Sequence, residues 1–473
     1  MEDYAVQKAD LIIKNALIVT MNTKREILDN ASIAIAGDKI IAIGPSIDIE
    51  SQYASNKIID ARGKFIFPGF ISTHTHLFQE LLKGLGRDKP LLEWLDSSIR
   101  RAICNIDKEC CYYAALTGCI ESIRTGTTTV LDYQYCHGQE NLDDSILQAL
   151  DDIGIRGIFG RGHTKTDKYP KEFACKNNDT EEQFFIDIER LANKYKGHSR
   201  LSLAIAPVII WDLSDEGFIK ARDLAKKLGI PITMHLVETE DDDEYCIKAK
   251  GMRTIPYLEK MGILGPNFIA VHCVHMTDED IALFKKYDVK VSHNPVSNMI
   301  LASGVANIPK FLKEGVTVSL ACDGAASNDT QDMLEVLKFT ALQHKVNTRN
   351  ASLVSASEVL EMATLGGAKT VLMEDKIGSI EVGKKADLFI YNPINCRSIP
   401  VHDPIAAIVY SSSSQNIETS IIDGKIVMEN FKFVNINEEE ILVKTQEIAA
   451  KLIEKSGLGN TQWGEKINIG RLR

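Results

Sequence analysis

The chain has 473 residues, of which 44% are hydrophobic and 25% are charged, and its formal net charge is −11. This is long for one compact domain and predicts a large globular domain with an accessory unit. The negative charge argues against nucleic acid or an anionic membrane as the main partner, and no apolar run approaches the roughly 20 residues that cross a bilayer. The amino end lacks the form of a secretion signal and the ten cysteines show no repeating framework, so we expect reduced thiols and a cytoplasmic protein.

Short β-branched runs near both ends of the chain predict a small β domain. Neither set of runs is large enough to bury two faces by itself. We therefore predict one discontinuous β-sandwich, built from residues 1–66 and 379–433, with the central segment inserted between the two parts. The runs are residues 11–13, 16–19, 31–36, 39–43, 386–391, 406–410 and 419–427.

The central segment, residues 67–378, alternates runs typical of strands with runs typical of helices. One helix is predicted to begin at Ser214 and end at Gly229, and another to begin at Thr277. Eight such units predict an α/β fold, a closed parallel (β/α)8 TIM barrel, with an open doubly wound sheet as the alternative. The strands are predicted at residues 70–73, 128–132, 156–160, 201–206, 231–234, 268–271, 289–292 and 317–321.

A helical tail is predicted for residues 434–473. Ile441, Ile448 and Leu452 recur at helical spacing among many charges. We expect this helix to pack on its own domain, with a subunit contact as the alternative.

Residues suited to a divalent metal lie at the ends of three of the predicted strands. His74 and His76 end the first strand, His235 the fifth and Asp323 the eighth. Functional groups of a barrel lie at the carboxyl ends of its strands, and side chains two apart on a strand point the same way. Imidazoles with one carboxylate suit an ion such as zinc, although Asp323 alone could also be a helix cap.

Two further residues suggest what such a metal does. Glu238 follows His235 by three residues, which places it well to move protons of a metal-activated water. His272 ends the sixth predicted strand, whereas His275 and His293 are better explained as core histidines. These features predict a metal-dependent hydrolase.

Segments along nearly the whole chain resemble those of the amidohydrolase superfamily, and within it those of the branch of deaminases and chlorohydrolases. The resemblance implies one zinc ion per chain, occasionally iron, held by His74, His76, His235 and Asp323. It also implies that His272 polarises the water or the developing oxyanion, that Glu238 passes a proton to the substrate's ring nitrogen, and that Asp323 shares the water's proton. The segments are Pro68-Gly-Phe-Ile-Ser-Thr-His-Thr-His, Arg124-Thr-Gly-Thr-Thr-Thr, His235-Leu-Val-Glu-Thr, Val271-His-Cys-Val-His, Ser292-His-Asn-Pro-Val-Ser-Asn, Asp323-Gly-Ala-Ala-Ser-Asn and Gly378-Ser-Ile-Glu-Val-Gly-Lys-Lys-Ala-Asp-Leu.

The substrate implied by the resemblance is a heteroaromatic amine. Two-metal relatives carry a lysine at the end of the fourth strand, which is absent here, so one metal and ring deamination are favoured. Glu93 is similar to a ribose-binding glutamate, and Arg161 to an arginine near the substrate, in deaminases of methylthioadenosine and S-adenosylhomocysteine. Those enzymes have histidine where this chain has Val208, which leaves a free ring open as the substrate: guanine, 8-oxoguanine, a pterin or an s-triazine. Trp211 and its apolar neighbours suit a flat ligand, and His272 faces the same site.

Three further expectations concern alternatives and partners. A hydrolase of cyclic amides would use two metals, and a metal-free assembly protein would have a broken ligand set. Neither fits this sequence as well as a one-metal deaminase. By resemblance, the chain is expected to form a homodimer or homotetramer.

Overall fold

A barrel of eight parallel strands forms the centre of the protein. The computed structural model describes residues 6–165 and 179–458, so residues 1–5 of the predicted β domain and 459–473 of the predicted tail lie outside the described residues. Neighbouring strands in the sheet follow one another along the chain. Numbered β1 to β8, the barrel strands are Phe70–Thr75, Thr127–Gln134, Arg156–His163, Leu201–Pro207, Ile232–Leu236, Phe268–His272, Lys290–His293 and Val318–Leu320.

The last barrel strand returns to the first. Thr73 Oγ1 on β1 donates to the Leu320 carbonyl at 3.2 Å, and the Asp323 amide donates to the His74 carbonyl at 3.1 Å. The remaining neighbours pair in parallel. The predicted (β/α)8 barrel is therefore confirmed, and the open doubly wound alternative is wrong.

Helices between the strands begin and end where their capping residues predict. Ser214 Oγ accepts from the Gly217 amide at 2.9 Å, and Gly229 ends that helix with φ +66°. Thr277 and Asp280 form a capping box at the start of the helix that follows β6. The longer helices are Lys108–Arg124, Leu142–Ile153, Glu181–Lys194, Asp215–Leu228, Asp241–Lys250, Thr254–Lys260, Asp278–Tyr287, Ile308–Glu314 and Met333–Thr348; shorter ones are Ser46–Gln52, Leu91–Ser97, Ile99–Ala102, Pro295–Ile300, Ala356–Glu361, Gly367–Thr370 and Pro404–Tyr410.

Strands from both chain ends join in one nine-stranded sheet. Phe65–Pro68 pairs with Leu388–Tyr391 in antiparallel fashion, which joins the two parts. A shared apolar cluster includes Ile13 and Ile33 from the first part and Leu388 and Ile421 from the second. The predicted discontinuous β domain is therefore present, and its exact boundaries stay a prediction. Along the sheet the strands are Lys432–Phe433, Lys425–Glu429, Ile417–Ile422, Leu388–Tyr391, Phe65–Pro68, Leu11–Val19, Ile27–Ala36 and Lys39–Pro45, with Ile58–Asp60 beside Leu11–Val19.

One predicted strand of this domain is wrong. Residues 406–410 belong to the helix Pro404–Tyr410, because Asp403 caps the amides of Ile405 and Ala406 and proline occupies the first helical turn. A short apolar run does not by itself distinguish a strand from a buried helix.

A buried ion-pair cluster connects the barrel to the β domain. Arg156, at the start of β3, donates through Nε to Asp387 at 2.6 Å and through Nη2 to both Asp387 and Asp423 at 3.0 Å. Both carboxylates belong to the second part of the β domain. The guanidinium therefore links elements that are far apart in the sequence.

The tail helix, Glu438–Lys455, packs on the barrel as predicted. Ile441, Ile448 and Leu452 are buried, and Glu438 forms an ion pair with Arg124 at the end of the helix Lys108–Arg124. Within the described ranges, we find no helix that combines the length and apolar character needed to cross a membrane.

Candidate metal centre and active site

Four predicted ligands converge at the carboxyl end of the barrel. His74 lies on β1, His76 directly follows it, His235 lies on β5, and Asp323 lies three residues beyond β8. Their ligand atoms all lie within 4.8 Å of one another. Side chains that are distant in the sequence thus meet at one point, because the strands that carry them are neighbours or face each other across the barrel.

Hydrogen bonds fix two of these imidazoles with their Nε2 atoms facing each other. His76 Nδ1 lies 2.7 Å from the Tyr133 carbonyl, and His235 Nδ1 lies 2.7 Å from the Val208 carbonyl. A carbonyl only accepts, so each Nδ1 carries the proton and each Nε2 presents a lone pair. The two Nε2 atoms are 3.2 Å apart. Two lone pairs at this distance repel each other unless a cation lies beside both.

The remaining ligands complete a set that fits a divalent ion. Both ring nitrogens of the buried His74 lack a hydrogen-bond partner within the described part of the chain, and its Nε2 lies 3.3 Å from Asp323 Oδ1. Burial lowers the pKa of His74 to about 4 and that of His76 and His235 to about 3. Neutral imidazoles and a carboxylate are the protonation states that metal binding requires.

Asp323 is the anionic member of this set. Burial opposes its ionisation, but His74 Nε2 at 3.3 Å and the other nearby imidazoles hold the pKa of its carboxyl well below the usual value. Its Oδ1 accepts from the Gly324 amide at 2.7 Å, and its backbone has φ +66°. A left-handed conformation at a non-glycine residue is costly and concentrates at functional sites.

Glu238 and His272 form a second pair beside the four ligands. Glu238 Oε2 lies 3.4 Å from His272 Nε2, and Glu238 Oε1 accepts from Ser303 Oγ at 3.0 Å. Burial raises the pKa of Glu238 above its ordinary value. On the other side of the imidazole, His272 Nδ1 lies 2.9 Å from Asn298 Oδ1.

A cleft opens beside both groups and gives a substrate access to them. One wall is apolar and consists of side chains from the segment that follows β1. Another comes from the loops after β3 and β4, including Trp211 and the half-buried Val208. The cleft-lining residues include His76, His235, Glu238, His272, Asp323, Leu91, Leu92, Trp94, Leu95, Ile99, Thr164, Lys165, Val208, Ile209, Trp211 and Leu301.

Two predicted substrate contacts do not line this cleft. Glu93 is exposed on the helix Leu91–Ser97, although its neighbours Leu92 and Trp94 face the cleft. Arg161 is buried and paired with Asp143, Asp179 and Asp187. Their roles in binding substrate stay predictions, whereas Trp211 and His272 do face the cleft.

The sequence analysis missed several groups that support the site. Asn298 lies in a segment that carried the family resemblance, so a signal for it was present. Ser303 lies ten residues beyond β7, and no sequence signal identified it. The carbonyl groups of Tyr133 and Val208 belong to the main chain, and no pattern of side chains identifies them. His293 is fully buried and bonds to His344 at 3.1 Å, so it is a core residue as predicted.

Comparisons with known proteins identify the family of the chain. The amidohydrolase family profile matches residues 65–427. A 5'-deoxyadenosine deaminase of Methanobrevibacter smithii is 36% identical over 448 residues, 94% of this chain and 99% of that protein. A 5-methylthioadenosine/S-adenosylhomocysteine deaminase of Syntrophobacter fumaroxidans is 32% identical over 443 residues, 93% of this chain and 98% of that protein.

Solved structures share the fold. A zinc-bound adenosine deaminase from Xanthomonas campestris is 25% identical, with a TM-score of 0.88, covering 95% of this chain and 100% of that one. A zinc-bound atrazine chlorohydrolase from Arthrobacter aurescens, 24% identical, has a TM-score of 0.85 and covers 93% and 100% of the two chains. The predicted resemblance to deaminases and chlorohydrolases is thus confirmed, and the chain is a hydrolase that belongs to the amidohydrolase family.

Proposed function

We propose that this protein is a zinc-dependent deaminase of adenosine-type nucleosides, such as 5'-deoxyadenosine, methylthioadenosine or S-adenosylhomocysteine. One observation carries the proposal: the His–His–His–Asp cluster and the Glu238–His272 pair border the same cleft. The relatives named for these substrates match almost the whole chain.

In this proposal, His74, His76, His235 and Asp323 hold one zinc ion, with iron as the alternative. When bound, such an ion supplies a Lewis acid that lowers the pKa of water toward about 7. The inference of a single ion rests on four ligand atoms that lie within 4.8 Å of one another; a catalytic zinc ion would keep a further coordination position for water.

The protein side chains then manage the protons of a hydrolytic deamination. Water adds to the ring carbon that bears the amino group, and Asp323, whose carboxyl stays ionised, accepts a proton from that water. Glu238, whose pKa burial raises, delivers a proton to the adjacent ring nitrogen through a free carboxyl oxygen. His272 Nε2 stabilises the charge that develops on oxygen. Asp323 then passes the proton it accepted to the amino group, the carbon–nitrogen bond breaks, and ammonia leaves. The remaining proton of the added hydroxyl group returns to Glu238.

Trp211 and His272 are proposed to contact the substrate ring because both face the cleft. The apolar wall formed by Leu91, Leu95 and Ile99 suits a 5' methyl group or thioether better than a free 5' hydroxyl group. A second candidate substrate is a free ring such as guanine, 8-oxoguanine, a pterin or an s-triazine, including removal of chloride or an alkylamine. The exposed position of Glu93 favours it, since nothing polar from that helix faces a ribose.

Ammonia release by the zinc-loaded protein tests the proposal. The panel contains 5'-deoxyadenosine, methylthioadenosine, S-adenosylhomocysteine and adenosine against guanine, 8-oxoguanine, a pterin and an aminotriazine. We expect ammonia from the adenosine compounds, with the highest kcat/KM for those lacking a 5' hydroxyl. Ammonia from free rings alone would contradict the nucleoside assignment and favour the second candidate.

We also propose that the protein acts in the cytoplasm as a homodimer or homotetramer. The support is the resemblance to enzymes of this family. Light scattering coupled to gel filtration measures the mass, and a monomeric mass would contradict the assembly.

A further inference from the structure

A buried carboxylate, Asp212, connects two loops of the cleft. It lies beyond β4 and is completely inaccessible to solvent. Its Oδ1 accepts from the Lys165 amide at 2.9 Å, and its Oδ2 accepts from the Ile209 amide at 3.0 Å. Thr164 Oγ1 lies 3.4 Å from the same Oδ1. Lys165 and Thr164 belong to the loop after β3, and Ile209 belongs to the loop after β4.

The two loops that Asp212 joins form one wall of the cleft. Thr164 and Lys165 line it on one loop, and Val208, Ile209 and Trp211 line it on the other. Among the described residues, no cation forms an ion pair with Asp212. A buried carboxylate without a counter-charge is costly, so the hydrogen bonds that it accepts from the Lys165 and Ile209 amides and from the Thr164 hydroxyl are the interactions that stabilise it.

The same loop also reaches the metal centre. The Val208 amide donates to the His163 carbonyl at 3.1 Å, and the Val208 carbonyl accepts from His235 Nδ1 at 2.7 Å. Val208 is thus held by β3 and by a predicted ligand, independently of Asp212. Loss of Asp212 would release the loop from Ile209 onward while His235 keeps its partner.

We propose that Asp212 is a positioning residue that fixes this wall for substrate binding. It touches neither the reacting atoms nor the metal ligands. Its role is to set the separation between the loops after β3 and β4, and so the width of the slot in which a flat ring lies against Trp211. The inference deepens the proposed function and rests on it for the identity of the substrate.

Asp212→Asn is the decisive variant, because an amide presents one oxygen acceptor and a donor where the carboxylate presents two acceptors. One backbone amide, of Lys165 or of Ile209, therefore loses its partner. We expect KM for the best substrate of the ammonia panel to rise about tenfold or more while kcat changes less than about twofold. Bound zinc should stay at the wild-type level, and Asp212→Glu, which keeps the charge, should restore part of the affinity.

Asp215→Asn is the matched control. Asp215 lies three residues further on, is bonded to Lys250 and Tyr257, and is not among the cleft-lining residues. We expect wild-type KM and kcat for it. An unchanged KM in Asp212→Asn, or a loss of kcat without a change in KM, would overturn the inference.

Hydrogen–deuterium exchange separates this inference from the proposed function, because it needs no substrate. Peptides covering residues 160–165 and 205–213 should exchange faster in Asp212→Asn than in the wild type or in Asp215→Asn. Unchanged exchange in both peptides refutes the connection between the loops. Faster exchange in a protein that releases no ammonia from any compound retains the connection and rejects the deaminase assignment. If Asp212→Asn does not fold, Asp212→Glu, whose longer side chain displaces the two acceptors, is measured in its place with smaller changes expected: a KM above that of the wild type, unchanged kcat and zinc content, and faster exchange in both peptides. Wild-type KM and wild-type exchange in Asp212→Glu would then overturn the inference.

Discussion

Removal of the Arg156 guanidinium should uncouple the barrel from the β domain at a measurable cost. Arg156→Met keeps most of the volume of the side chain but leaves Asp387 without its two hydrogen bonds to the guanidinium. Arg156 and Asp387 are 1% and 2% exposed, so solvent cannot replace the lost partner. Breaking a buried pair in this way costs about 3–5 kcal/mol.

The remaining contacts place the expected loss at the lower end of that range. In this variant, Asp423 Oδ1 still accepts a hydrogen bond from Lys385 Nζ at 3.0 Å, and Asp387 Oδ1 still accepts one from the Asp423 amide at 2.7 Å. We therefore expect Arg156→Met to lower the free energy of unfolding by about 3 kcal/mol. Urea unfolding at neutral pH, followed by circular dichroism, measures this loss in the zinc-loaded protein.

A double-mutant cycle isolates the ion pair from the loss of packing. Asp387→Asn in the Arg156→Met background removes the unpaired charge, so the double variant should recover about 1–2 kcal/mol relative to Arg156→Met. Strict additivity of the two substitutions, or a loss below about 1 kcal/mol for Arg156→Met, would refute the reasoning.

Three further predictions concern the metal centre, the proton shuttle and acid stability. Glu238→Gln should keep its zinc but lose about a hundredfold or more in kcat. The control, Glu240→Gln, changes an exposed residue and should keep the wild-type kcat. A kcat of Glu238→Gln within about tenfold of the wild type would exclude the shuttle role. His235→Ala should purify with less zinc than the wild type, as measured by mass spectrometry, and equal zinc content in both proteins would contradict the ligand role. The control, His198→Ala, should keep the wild-type zinc content. Burial lowers the pKa of His344 to about 4 from 6.5, so the unfolded state binds a proton between these values that the folded state does not. As the pH falls through this window, His344 should lower the free energy of unfolding of the wild type by about 3 kcal/mol. In thermal unfolding at a series of pH values, the stability of His344→Gln should fall correspondingly less. Parallel curves of stability against pH for the two proteins would contradict the assignment.

The barrel was predictable because its strands are short apolar runs that alternate with helices, some of which begin at a side-chain cap. Ser214 and Thr277 identify helix starts from local chemistry alone. The run at residues 406–410 was mistaken for a strand because the signal for a helix, Asp403 followed by proline, lies before the run. Apolar residues indicate that a segment is buried, whereas capping residues indicate whether the segment is a helix or a strand.

The metal ligands were predictable for a related reason. The parallel strands of a barrel all end at the same face, so histidines that end different strands lie close together at that face. Glu93 and Arg161 are different, since each lies on the correct side of the barrel but its side chain has another environment. Arg161 is surrounded by three carboxylates that come from separate helices and loops, and no spacing in the sequence announces such a cluster.

The pairing of Phe65–Pro68 with Leu388–Tyr391 has a consequence for biosynthesis. The early strands leave the ribosome with one sheet edge unpaired, and this edge stays unpaired until the whole barrel has been made. An open apolar edge is a template for aggregation, so chaperone demand should be highest during translation of the barrel. Nascent chains arrested before residue 388 should therefore aggregate or be degraded, whereas those arrested after residue 429 contain both partners of that edge.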